Sequence, residues 1–99
     1  MPDTDADADT EPRAITVMIA NQRGLHARAA AKFVKTAGEF EAEITVTRGD
    51  TTVSGGSIMG LMMLAAATGC EIEISALGSD SGAALGALQK LVEDRFDED

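Results

Sequence analysis

The one histidine of this 99-residue chain, His26, stands in the run GLHARAAAKFV, where an extended pattern gives way to a helical one. An imidazole at a helix start lies beside backbone N–H groups that have no intrahelical acceptor, and the helix dipole adds favourable potential at the same end. Such donors suit phosphoryl oxygens. With His26 at or next to the N-cap, the free N–H groups are those of residues 27 to 29. Arg28 adds a planar guanidinium fork matched to phosphate. Unperturbed imidazole titrates at about pH 6.5, so at neutral pH a ring nitrogen carries the lone pair that a nucleophile needs. Taken alone, a histidine reads as a surface residue or a member of a local hydrogen-bond network. Its neighbours are what point to phosphoryl chemistry.

A carrier must give its phosphoryl group away, so clamps as numerous as those of a P-loop would work against it. The sequence has no glycine-rich P-loop followed by lysine and no carboxylate pair placed for magnesium, which favours a phosphoryl acceptor and donor over a nucleotide-using kinase. A small hydrolase is disfavoured too, for want of a general base or a second catalytic residue. Ser57, at the head of SIMG, is a second candidate, and from the residues alone its simplest role is to cap a short helix starting near Ile58. Ile58, Met59, Leu61, Met62, Met63 and Leu64 are too numerous for one face of such a helix. Core packing is the plainer role for each, while flexible methionines also suit an adaptable docking patch.

The formal net charge of -9 argues against nonspecific binding to a nucleic-acid backbone, although Arg28, Lys32 and Lys35 gather just after His26. A single cysteine excludes a disulfide within the chain, and one His with one Cys makes no tetrahedral soft-ligand metal site. No cofactor is implied. The apolar stretch from Ile58 to Ala67 is far too short to span a bilayer, and the acidic beginning lacks the charge and apolar run of a signal peptide, so a cytoplasmic protein without membrane insertion is expected. The length fits one small domain with little material for a large cleft, so its chemistry should depend on a partner.

The elements that must position His26 follow from periodicity. Residues 1–13 read as a disordered acidic tail, and 14–97 as the folded domain. Ile15, Val17 and Ile19 alternate as in a half-buried strand, which NQRG closes as a turn. Ala30, Phe33, Val34 and Ala37 then follow helical spacing up to Gly38. Phe40, Ala42, Ile44 and Val46 alternate as a second strand, Arg48 to Asp50 form a hairpin turn, and Thr51 to Ser54 a third strand. A short helix begins after Ser57 and is expected to stop at Gly69. Cys70, Ile72, Ile74 and Ala76 form a fourth strand, and from Asp80 or Ser81 a last helix carries Leu85, Leu88, Leu91, Val92 and Arg95 along one side. Strands with one apolar face cannot lie between two helix layers, so this β-α-β-β-α-β-α order predicts an α+β fold with all helices on one side of an antiparallel sheet. With three aromatic residues and many alanines the core is thin, and Phe33 and Phe40 are expected to matter to stability.

Over roughly Ile15 to Phe96 the sequence resembles HPr, the histidine phosphocarrier family of the bacterial phosphoenolpyruvate-dependent phosphotransferase system. The resemblance rests on GLHAR followed by AAAKFV, on EITVT at Glu43 to Thr47, on SIMGLMML and on the late glycine before the last helix. It implies an open-faced β-sandwich of four antiparallel strands covered on one side by three helices. It also implies that His26 accepts a phosphoryl group on Nδ1 from enzyme I and passes it to an EIIA-type domain, with Arg28 beside the phosphate. The domain would be a transfer component rather than a self-sufficient enzyme, and a monomer. Ser57 corresponds to the site modified by HPr kinase/phosphorylase in that family, and Ala29, Lys32, Ile58, Met59 and Met62 fall on its partner-binding face. The family usually has proline where this chain has Ala29, a change expected to alter rigidity or rate rather than abolish transfer. Ala29 and the acidic leader suggest a divergent branch, but the sequence leaves sugar uptake and nitrogen, carbon-storage or potassium control both open, the choice belonging to the EIIA partner. The competing function is a regulatory interaction domain that binds partners through the His26/Ser57 face without phosphate turnover.

Overall fold

The computed structural model describes residues 11–98. The expected acidic tail falls largely outside these residues; its last member, Arg13, opens the first strand because it pairs with Ala76. The elements run β1 (Arg13–Met18), α1 (Ala27–Ala37), β2 (Glu43–Arg48), β3 (Thr51–Ser54), α2 (Ile58–Met63), β4 (Glu71–Leu77) and α3 (Ser81–Glu93), followed by a single tight turn at Arg95–Asp97. The order matches the one read from periodicity. The strands form one sheet in the order β1-β4-β2-β3, with every neighbouring pair antiparallel. Three helices cover one side of it, which makes an open-faced sandwich.

Strand register turns alternation into a single apolar face. Val17 pairs with Ile72, Ile74 with both Ile15 and Val46, and Ile44 with Ala76, so these side chains share one side of the sheet. Onto that side α1 lays Ala29, Ala30, Phe33 and Ala37, and α3 lays Ala84, Leu85, Leu88 and Val92, all buried. The β2–β3 hairpin closes through Gly49–Asp50 between the paired residues Arg48 and Thr51, with Gly49 at the positive φ that a two-residue turn requires.

Two helix ends differ from expectation. α2 stops at Met63, well before Gly69, because Ala65 turns left-handed (φ 52°). The Arg48 guanidinium donates to the carbonyls of Leu64 (2.9 Å) and Ala65 (3.3 Å), which gives carbonyls just past the end of that helix a donor. α3 stops at Glu93, so Arg95 leaves the helical stripe and is exposed. Arg95, Phe96 and Asp97 all adopt left-handed backbone, with φ of 58°, 55° and 61°. That conformation costs roughly 1–2 kcal/mol per residue.

Burial of Phe96 holds the turn. Its side chain is fully enclosed, as is that of Phe33, whereas Phe40 is only half-buried at the edge of the core. The aromatic pair central to this core is therefore Phe33 and Phe96, because the left-handed turn folds Phe96 back over the sheet. The Lys32 ammonium adds a 2.7 Å hydrogen bond to the Phe96 carbonyl. Replacing Phe96 with Ala is expected to lower unfolding free energy by about 3 kcal/mol or more, as measured in urea. A loss below about 1 kcal/mol would show that this side chain does not fix the turn.

Candidate functional site

The connection from β1 to α1 is built on backbone contacts with the loop after α2. Ile19 prolongs the pairing of β1 with β4, its N–H donating to the Cys70 carbonyl and its own carbonyl accepting from Gly69, each at 2.8 Å. Asn21, fully buried, begins a turn in which its side-chain amide donates to the Gly24 carbonyl at 2.8 Å. Gly24 has φ 65°, and a Cβ there would collide with the Ala66 carbonyl, so only glycine fits this close approach. The next N–H, from Leu25, donates to that same carbonyl at 3.0 Å.

His26 follows as the N-cap of α1, with extended backbone (φ -73°, ψ 177°) and no capping bond from its side chain. The Ala30 N–H reaches the His26 carbonyl at 2.9 Å and closes the first turn. The N–H groups of Ala27, Arg28 and Ala29 thus come before the helical ladder, and the first turn contains no acidic residue to compete with an anion. Arg28 is exposed and makes no hydrogen bond or ion pair among the described residues, so its guanidinium is free to meet an oxyanion.

The imidazole itself is not free on both sides. Its Nε2 meets Oε2 of Glu98, whose Oε1 accepts from the Asn21 amide at 3.1 Å. Both partners of Nδ2 are oxygens, which fixes the orientation of the Asn21 amide. Neither Asn21 nor Glu98 stands out as a site residue in the sequence. An Asn three residues before Gly is a local turn signal that covers half of Asn21's role. No local signal marks Glu98, which lies 72 positions from His26.

The remaining candidates divide by exposure. Ser57 caps α2, its hydroxyl oxygen accepting from the Gly60 N–H at 2.9 Å. Ile58, Met59 and Met62 are exposed, as is Met63, while Leu61 alone in that helix is buried. A cavity of about 310 Å³ lined by Arg23, Leu25, His26, Met62 and Ala65 to Ala67 joins the imidazole to α2. Two residues placed on the docking face have other roles. Ala29 is fully buried, since the helix turns its methyl into the core, and it has no side chain to offer a partner. Lys32 is half-buried and committed to the Phe96 carbonyl.

A one-sided four-stranded sheet with a histidine at the first helix start defines a class of small phosphocarrier domains. Residues 14–94 match the family described as "PTS HPr component phosphorylation site". The phosphocarrier protein HPr of Neisseria meningitidis is 49% identical over 84% of this chain and 93% of its own length. The phosphocarrier protein NPr of Shewanella violacea is 46% identical over 83% of this chain and 90% of its own. The crystal structure of HPr from Thermoanaerobacter tengcongensis superposes with a TM-score of 0.84 at 41% identity, covering 88% of this chain and 98% of that one. The chain belongs to the HPr family of phosphocarrier proteins of the phosphotransferase system.

Burial acts to raise the pKa of the Glu98 carboxyl. The hydrogen bonds from Asn21 and His26 and the positive charges of His26 and Arg23 outweigh that effect and hold it below the ordinary 4.5. A carboxyl depressed on folding contributes stability that is fully present above its unfolded pKa and is lost as pH falls through the folded value. Acidification below about pH 4.5 should therefore shrink the stability advantage of the natural protein over Glu98→Gln, as read from thermal midpoints across that range. Parallel pH curves for the two proteins would contradict the assignment.

Proposed function

We propose that this chain accepts a phosphoryl group on His26 from phospho-enzyme I, ultimately from phosphoenolpyruvate, and passes it to an EIIA-type domain. The observation that carries this reading is His26 at the N-cap of α1, with three N–H groups ahead of the helical ladder and, two residues on, an exposed Arg28 that has no partner among the described residues. In the first step the Nδ1 lone pair forms an N–P bond while the bond from phosphorus to the donor breaks. In the second, that electron pair returns to Nδ1 as the acceptor takes the phosphoryl group. The backbone donors and Arg28 spread charge over the phosphoryl oxygens in both directions without enclosing them.

The exposed Ile58, Met59 and Met62, joined by Met63, form the apolar part of a docking face beside His26. Docking brings the catalytic surroundings that a chain of this size lacks. Phosphorylation of Ser57 would put added negative charge at the edge of the same face and replace a hydroxyl that now caps α2, a route to regulation by an HPr kinase/phosphorylase. Relatives named phosphocarrier protein HPr and phosphocarrier protein NPr support the phosphocarrier role; the choice between sugar uptake and regulatory relay would belong to the EIIA partner. The protein would act in the cytoplasm as a monomer. Among the described residues no helix is long and apolar enough to cross a membrane.

Incubation with phosphoenolpyruvate and a matched enzyme I is expected to add one phosphate by intact mass, labile in acid, stable in alkali and absent from His26→Ala. Arg28→Ala should slow the transfer by about tenfold or more, the equivalent of one charge-assisted hydrogen bond. No adduct with an enzyme I that phosphorylates another carrier would refute the reading. If His26→Ala also kept every functional response of the partners, the chain would be an interaction domain.

A further inference from the structure

We infer that Glu98, anchored by Asn21, is a positioning residue for phosphoryl transfer on His26: by accepting the Nε2 proton it holds the ring in the tautomer and orientation that present the lone pair on Nδ1. The inference rests on the carrier reading above and adds to it a residue, from the other end of the chain, that sets which nitrogen reacts.

The geometry leaves little choice of roles. An ionised carboxylate only accepts hydrogen bonds, so the proton between Glu98 Oε2 and His26 Nε2 belongs to the ring. In neutral imidazole the other nitrogen then holds the lone pair. Asn21 supports this by engaging Oε1, which leaves Oε2 for the ring, and by tying the same amide to the Gly24 carbonyl in the turn that leads into His26. One side chain thus links the carboxylate to the backbone that places the imidazole. The depressed pKa of Glu98 keeps it ionised through the neutral range.

The carboxylate is delivered by a locked segment rather than by a loose one. Phe96, two residues earlier, is fully buried, and its carbonyl is held by Lys32 from α1, the helix that His26 caps. The side chains of His26 and Glu98 are 15% and 14% exposed, so the pair is shielded from much of the water that would otherwise compete for Nε2. An electronic consequence follows. Once Nδ1 forms its bond to phosphorus and the donor leaves with the electron pair of the bond it gave up, the ring carries a phosphoryl group on Nδ1, a proton on Nε2 and a positive charge. Glu98 opposes that charge from the side away from phosphorus. On onward transfer the N–P pair returns to Nδ1 and the proton remains on Nε2, so the cycle needs no proton donor or acceptor beyond this contact.

The test compares the natural protein with Glu98→Ala and with Asp97→Asn. The latter removes the same charge from the exposed neighbour on the same turn and keeps a residue type that tolerates left-handed backbone. Imidazole nitrogen NMR of the unphosphorylated proteins, at a pH where the ring is neutral, reports the tautomer. Initial rates with phosphorylated enzyme I report the competence of Nδ1. The natural protein and Asp97→Asn should show a single tautomer protonated on Nε2. Glu98→Ala should show exchange between tautomers and a fall in rate of up to about tenfold, as the competent fraction drops. An unchanged spectrum in Glu98→Ala would overturn the inference, and so would a changed spectrum with an unchanged rate, since the contact would then be structural only. Failure of all three proteins to be phosphorylated would strike at the carrier reading, while the spectra would still decide whether Glu98 sets the tautomer.

Discussion

The site depends on one backbone contact, the approach of Gly24 and Leu25 to the carbonyl of Ala66. The Leu25 N–H bonds to that carbonyl at 3.0 Å, and only a residue without a Cβ can precede it there. Because Gly24 and Leu25 lead directly into His26, this contact sets where α1 begins and hence where its unpaired N–H groups point. It also brings the end of α2 beside the imidazole, which places the exposed methionines at the site. Arg48 at the β2–β3 hairpin holds the carbonyls of Leu64 and Ala65, so the Ala66 loop is itself fixed by the sheet.

The far end of the chain closes the site from another side. Three consecutive left-handed residues would be an unfavourable way to leave a helix, and their cost is offset by complete burial of Phe96 and the hydrogen bond from Lys32. The outcome is a carboxylate on one ring nitrogen and a helix start free of acidic residues beside the same side chain. In a chain with a formal charge of -9, the first turn of α1 thus carries no acidic residue where an anion would arrive. Moderate stabilisation suits a carrier: phosphoryl oxygens on His26 would meet backbone dipoles and the exposed Arg28 guanidinium at an open helix start.

Most of the sheet could be read from the chain because alternation is local. In Ile15 to Ile19, in Ile44 and Val46 and in Ile72 to Ala76, each residue's face is set by its neighbours at spacing two. The helix start at His26 was equally plain, since the change of period and the turn NQRG both lie within a few residues. The readings that failed involve tertiary constraints. Helical spacing alone carried the last helix through Arg95, but the chain leaves the helix at Glu93 so that Phe96 can fill the core. Gly69 looked like the stop of α2, yet an alanine takes the left-handed position because Arg48, distant in sequence, supplies its carbonyl partners. Ala29 looked available to a partner, whereas the helix turns its methyl inward. Glu98 and Asn21 carry no sequence signal as a pair, because nothing in composition or spacing announces a contact between residues 77 positions apart.

The most direct measurement of the central claim is the site of attachment in the phosphorylated protein, read from phosphorus and imidazole nitrogen NMR of isotope-labelled material. The account predicts a single phosphoryl group bonded to Nδ1 of His26, with Nε2 still turned to Glu98. Phosphate on Nε2, or on any residue other than His26, would contradict it.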